Sequence, residues 1–139
     1  MKKKSAIFVT VVFAITCCLS VALAARMATP VGTTSGGTLG KATCAGYMNY
    51  VNSSSAGADT TTASTSAGAK GTVTAKATIY YTDSEGNKTR TSSDTKANAT
   101  SAQASTTAPS GTHGYKSSSS HSYSSEDYGS WSSSLSHDF

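Results

Sequence analysis

From Gly71 to Thr82 the chain alternates without a break. Val73, Ala75, Ala77, Ile79 and Tyr81 occupy one parity, and Thr72, Thr74, Lys76, Thr78, Tyr80 and Thr82 the other. Successive side chains of an extended strand point to opposite faces, so this pattern predicts a strand buried on its Val/Ala/Ile side and wet on its Thr side. Asp83–Asn87 supplies turn formers and a glycine, and Lys88–Ser92 then predicts a returning strand, which makes a β-hairpin with a five-residue loop.

Tyr47–Val51 is aromatic and β-branched, as strands prefer. Asn52–Gly57 is expected as a polar turn, and Asp59–Lys70 fits either a strand of small side chains or a loop. Ala97 and Ala99 share one parity, Ala102 and Ala104 the other. If all four face inward, a bulge or bend near Thr100–Ser101 is required. After a turn at Ala108–Gly111, Tyr115, Ser117, Ser119, His121 and Tyr123 alternate with Lys116, Ser118, Ser120 and Ser122, and Trp131, Leu135 and Phe139 share a later strand face. No segment carries a 3.6-residue apolar stripe, and β-branched Thr favours extended backbone. The expected fold class is all-β, a small antiparallel β-sandwich or barrel-like module.

The amino terminus follows a different logic. Lys2, Lys3 and Lys4 precede an uncharged apolar run from Ala6 to Leu23, closed by Ala22-Leu23-Ala24. A basic start, an apolar helix and a small-x-small site form an export signal, with cleavage expected after Ala24. The predicted organisation is a signal peptide at 1–24, a Gly- and Pro-containing flexible leader at 25–40, and a small β-rich domain at 41–139. The expected location is extracellular, with membrane contact only during export.

Composition narrows the function classes. Residues 25–139 contain 24 Ser and 20 Thr, whereas Val, Ile, Leu, Met and Phe together number nine. Such a chain is too short and too poor in aliphatics for a large enzyme, a helical bundle or a multi-pass membrane protein. The formal charge of +4 owes three lysines to the signal, and the remainder carries eight basic against seven acidic residues, scattered. Nucleic-acid binding needs a clustered basic face, so no nucleic-acid partner is expected. Removal of Cys17 and Cys18 with the signal leaves Cys44 alone. A lone thiol forms no internal disulfide; it is either a small buried side chain or a link between chains.

Candidate chemistry is sparse. Gly-x-Ser-x-Gly, His-Glu-x-x-His and phosphate-cradling glycine loops are missing from the sequence. His113, His121 or His137 combines on paper with Asp127 and any of many serines into a triad, but triads are recognised by geometry and this composition supplies candidates by chance. His121, Glu126, Asp127 and His137 match no strong metal-ligand spacing. No catalytic residue, cofactor or metal is therefore expected. Asn52, Asn87 and Asn98 each begin an Asn-x-Ser/Thr pattern, which hydroxyl-rich sequences generate freely. Among the aromatics, Tyr80 alone falls on the Thr/Lys parity of its strand, and it is the expected exposed binding aromatic. A Thr array at 72, 74, 78 and 82 is broken by Lys76 and Tyr80, which weakens an ice-binding reading.

The Lys-rich signal, the Thr-Val-Thr-Ala-Lys-Ala-Thr-Ile-Tyr-Tyr strand with its Asp-Ser-Glu-Gly-Asn turn, Ala-Pro-Ser-Gly, and the Ser-Ser-His-Ser-Tyr to Gly-Ser-Trp end resemble small Ser/Thr-rich proteins exported by Gram-positive bacteria. That resemblance implies export and no particular activity. Size and Ser/His/Tyr content also look similar to lactococcin-972-like bacteriocins, but their early Gly-x-Trp motif is missing, since the single tryptophan is Trp131. The leading expectation is a secreted non-catalytic β module acting on a cell-surface or extracellular component. The alternatives are a bacteriocin-like antibacterial protein and a disordered Ser/Thr-rich spacer.

Overall fold

The computed structural model describes residues 26–50 and 57–139, the side chains of 50 and 57–61 excepted. The signal expected at 1–24 and the turn expected over Asn52–Gly57 fall outside it, Gly57 apart. Nine strands are described: β1 (Arg26–Ala28), β2 (Gly32–Thr33), β3 (Thr43–Tyr50), β4 (Gly57–Ser64), β5 (Gly71–Asp83), β6 (Gly86–Ala99), β7 (Ser101–Thr107), β8 (His113–Ser125) and β9 (Gly129–Asp138). They form two antiparallel sheets, one ordered β1-β3-β4-β7 with β2 also on β3, the other ordered β6-β5-β8-β9. The sheets stack as a sandwich without closing into a barrel, in agreement with the all-β expectation.

The inner faces follow the alternation. Val73, Ala75, Ala77 and Ile79 of β5 are buried, and so are Ser117, Ser119, His121 and Tyr123 of β8. Cys44 and Met48 of β3, and Ala102 and Ala104 of β7, meet them from the other sheet. The interior is thus built largely from Ala, Ser and Thr, with few large side chains. Small residues let the sheets approach closely, and among the described residues the buried hydroxyls keep hydrogen bonds, as low-dielectric surroundings demand, with Ser64 Oγ the exception.

Two local expectations are corrected. The β5–β6 loop is Ser84–Glu85 rather than five residues, because pairing extends to Asp83 opposite Gly86. Asp83 Oδ1 accepts from the Glu85 N–H at 2.8 Å, and Gly86 takes a φ of 114° that other residues rarely adopt. The chain does turn from one sheet to the other at Thr100, but Ala97 is exposed instead of inward. The irregularity comes earlier: Gly71 pairs with Ala99 and Val73 with Lys96, so two residues, Ala97 and Asn98, oppose Thr72 alone. Asn98 relieves the bulge with a φ of 51°.

Both open sides of the sandwich are covered. At one, β6 turns Arg90 and Asp94 toward the unpaired edge of β7. Asp94 accepts from the Gln103 N–H at 3.0 Å, and Arg90 donates to the Thr107 carbonyl at 3.3 Å. Side-chain caps of this kind satisfy an edge that would otherwise template pairing with another chain. At the other side, residues 26–40, read as a leader, carry β1 and β2 on β3 and then strap the β8–β9 turn. Ser35 N–H donates to the Ser130 carbonyl at 2.9 Å, and Leu39 N–H to the Asp127 carbonyl at 2.7 Å. Buried Thr34 donates to the Tyr128 carbonyl and accepts from the Ala42 N–H.

Candidate binding face

The outer face of the four-stranded sheet collects the chain's hydroxyls in register. Across β6, β5, β8 and β9, one rung reads Thr95, Thr74, Ser122 and Ser132, the next Ser93, Lys76, Ser120 and Ser134, and the third Thr91, Thr78, Ser118 and Ser136. Eleven of these twelve positions carry a hydroxyl, Lys76 being the exception. Neighbours sit about 4.8 Å apart across the strands and about 6.7 Å apart along them. Two rungs are fixed further by hydroxyl pairs, Thr74 with Thr95 at 3.0 Å and Thr78 with Thr91 at 3.1 Å. Each hydroxyl both donates and accepts, so the face offers a dense, regular set of polar contacts.

A fourth rung ends the lattice with different chemistry: Thr89, Tyr80, Lys116 and Asp138. Tyr80 lies on this outer face and is half-buried. Its ring stands 6.2 Å from that of Tyr115, tilted by 47°, and the Lys116 ammonium lies 5.8 Å from its centroid. The register slips between Tyr80 and Tyr81, which pair with Lys116 and Gly114 and leave Tyr115 as the extra residue. That bulge is why Tyr115 is exposed, although strand parity would have placed it with Ser117 on the inside. A shallow groove of ≈ 390 Å³ runs from Tyr80, Lys76 and Lys116 over the serines of β8 and β9.

The histidines do not form a shared site. His113 is exposed at the start of β8, and His137 meets Phe139 edge-on at 5.5 Å. His121 is buried at 2% exposure between the sheets. Thr62 Oγ1 spends its proton on the Thr74 carbonyl at 2.7 Å, so it accepts from His121 Nδ1 at 2.9 Å. The imidazole therefore carries its proton on Nδ1, and Nε2 accepts from Ser119 at 2.8 Å. Burial lowers its pKa from 6.5 to about 4. This serine–histidine pair has the connectivity of a nucleophile and base, but it is buried in the core, and its third member is Thr62 rather than Asp127. Asp127 sits in the β8–β9 turn, accepting from Thr38 at 3.0 Å.

Among the described residues no group of three His, Cys, Asp or Glu side chains converges to hold a metal. Cys44 is fully buried, and burial pushes its thiol pKa up. The buried reading of this cysteine is the one the geometry favours, since a sulfur without access cannot pair between chains. Comparison with known protein families, curated proteins and solved structures finds no match to this chain.

Proposed function

We propose that the protein is an exported, non-catalytic β module that adsorbs to cell-surface or extracellular material through the outer face of its four-stranded sheet. The hydroxyl lattice carries this reading. Ser and Thr fill the outward positions of four paired strands in rungs, and a groove with Tyr80 at its head crosses them. A face made to meet only water needs polarity; it does not need one residue chemistry repeated in register. The burial of Ser119 and His121 between the sheets supports the non-catalytic part of the reading. The sandwich also argues against the spacer alternative, since both of its open sides are tied by specific hydrogen bonds.

The test is co-sedimentation of residues 25–139 with isolated cell envelopes, run beside a zone-of-inhibition assay. Retention on the envelopes that falls when Tyr80 and Ser134 are replaced by Asp supports the proposal. Clearing of a bacterial lawn without envelope affinity overturns it in favour of the antibacterial alternative.

A further inference from the structure

The groove on the outer face is more specific than the lattice around it. Serines of β8 and β9, Ser118, Ser120, Ser134 and Ser136 among them, line it together with the longer side chains of Lys76, Tyr80 and Lys116. No carboxylate lines it. The ion pairs among the described residues are Lys88–Glu85 and Lys96–Asp94, both on the β5–β6 hairpin or β6. Lys76 and Lys116 belong to neither. Asp138 stands opposite Lys116 on β9 and makes no ion pair with it among the described residues. The groove is thus a positively charged trench with a hydroxyl lining, on a chain whose charges otherwise nearly cancel.

Three features restrict what fits. Two ammonium groups outside any ion pair among the described residues, Lys116 with Asp138 opposite it, call for an anion. Lys76 lies opposite Ser120, four residues along β8 from Lys116, an axial offset of about 13 Å. That span exceeds one sugar ring and calls for a chain with repeated charges. The Tyr80 ring, steadied by Tyr115 and Lys116, offers an aromatic surface with a polar tip, which suits the C–H face of a pyranose. A flexible polyol phosphate chain has no such face.

On the reading that this sheet face is the adsorbing surface, we propose that the groove binds an acidic pyranose polysaccharide. Its carboxylates lie between Lys76 and Lys116, its ring hydroxyls on the serines, and one ring face against Tyr80.

The experiment is affinity electrophoresis of the chain through gels containing polygalacturonate, dextran or poly(glycerol phosphate). The expected result is retardation by polygalacturonate above that by the other two, relieved by salt. Lys76→Gln with Lys116→Gln should weaken it about tenfold, as two solvent-facing ion pairs imply. Tyr80→Ala should weaken it and Tyr80→Phe should not. Lys88→Gln with Lys96→Gln, which removes equal charge from β6, should leave it unchanged, and a melt of each variant checks that it folds. Equal retardation by dextran, stronger retardation by poly(glycerol phosphate), or insensitivity to the groove lysines overturns the inference. If envelope adsorption persists while polygalacturonate fails, the ligand class is wrong and the adsorbing face stands. If adsorption is also lost, the face itself is wrong.

Discussion

The imidazole of His121 packs directly against Gly46, which belongs to the opposite sheet. A Cβ built on that glycine would come within 2.9 Å of Nδ1 and closer still to Cγ and Cδ2. The only residue that lets the sheets close over a buried histidine is therefore the one with no side chain. Thr62 and Ser119 then hold the ring by both nitrogens.

Gly46→Ala should accordingly destabilise the fold by about 1–3 kcal/mol, the usual cost of forcing extra volume into a packed interior. Urea denaturation checks this. Placing the same substitution in a His121→Ser background should recover part of the loss, because the clash is with the ring.

Acid should weaken the sandwich through His121. Its folded pKa is about 4 against an ordinary 6.5, so the unfolded chain takes up the proton first. The stabilisation is fully present above pH 6.5 and is lost as pH falls toward 4. The gap corresponds to about 3 kcal/mol. Denaturation midpoints measured between pH 7.5 and 4 should fall in the native protein and stay flatter in His121→Gln. Asp94, held below the usual carboxylate range by the Gln103 N–H, loses its contribution only at lower pH, beneath that window.

At the β7 edge, Asp94→Ala removes the acceptor for the Gln103 amide. Hydrogen exchange at Gln103 should speed up, while amides of β7 that face β4 keep their protection. Unchanged exchange at Gln103 would show that the cap is not formed in solution.

Thr34→Val should cost about 1–3 kcal/mol, because it strips a buried N–H at Ala42 and a carbonyl at Tyr128 of their shared partner. Its second effect is local. Trp131 rests on Gly32 in the same strap, so loosening the strap should move tryptophan emission to the red before the global transition.

Cys44, buried and with its thiol pKa raised, should react with a thiol reagent only as fast as the fold opens. Rapid labelling of native protein would contradict its place in the core.

The sequence made the hairpin legible because β5 alternates apolar with polar residues, so Val73 and Thr74 reveal their faces by chemistry alone. The hydroxyl lattice of the outer face was less legible. In Ser117–Ser120 every residue is identical, so only their parity with His121 and Tyr123 separates Ser117 and Ser119 from Ser118 and Ser120. Register sets the faces: Ser117 opposite Ile79 and Ser119 opposite Ala77 face in, while Ser118 and Ser120 face out. The Thr array of β5 is broken by Lys76 and Tyr80 when read along one strand; within three rungs of four paired strands Lys76 is a single interruption. Arg90 and Asp94 carry no sign in the sequence that they point inward, because their role depends on the unpaired edge of β7. Parity puts Tyr80 on the outer face, but it is half-buried rather than the exposed aromatic expected, and Tyr115 is the exposed one because a bulge overrides parity.

The central claim is that the outer face of the β6-β5-β8-β9 sheet is the surface that meets the ligand. The direct measurement is a residue-resolved NMR titration of residues 25–139 with solubilised cell-envelope polysaccharide. The account predicts amide shifts confined to the outward positions of β5, β8 and β9, centred on Lys76, Tyr80, Ser120 and Ser134. Shifts centred on β3 and β4, or none at envelope concentrations that sediment the protein, would contradict it.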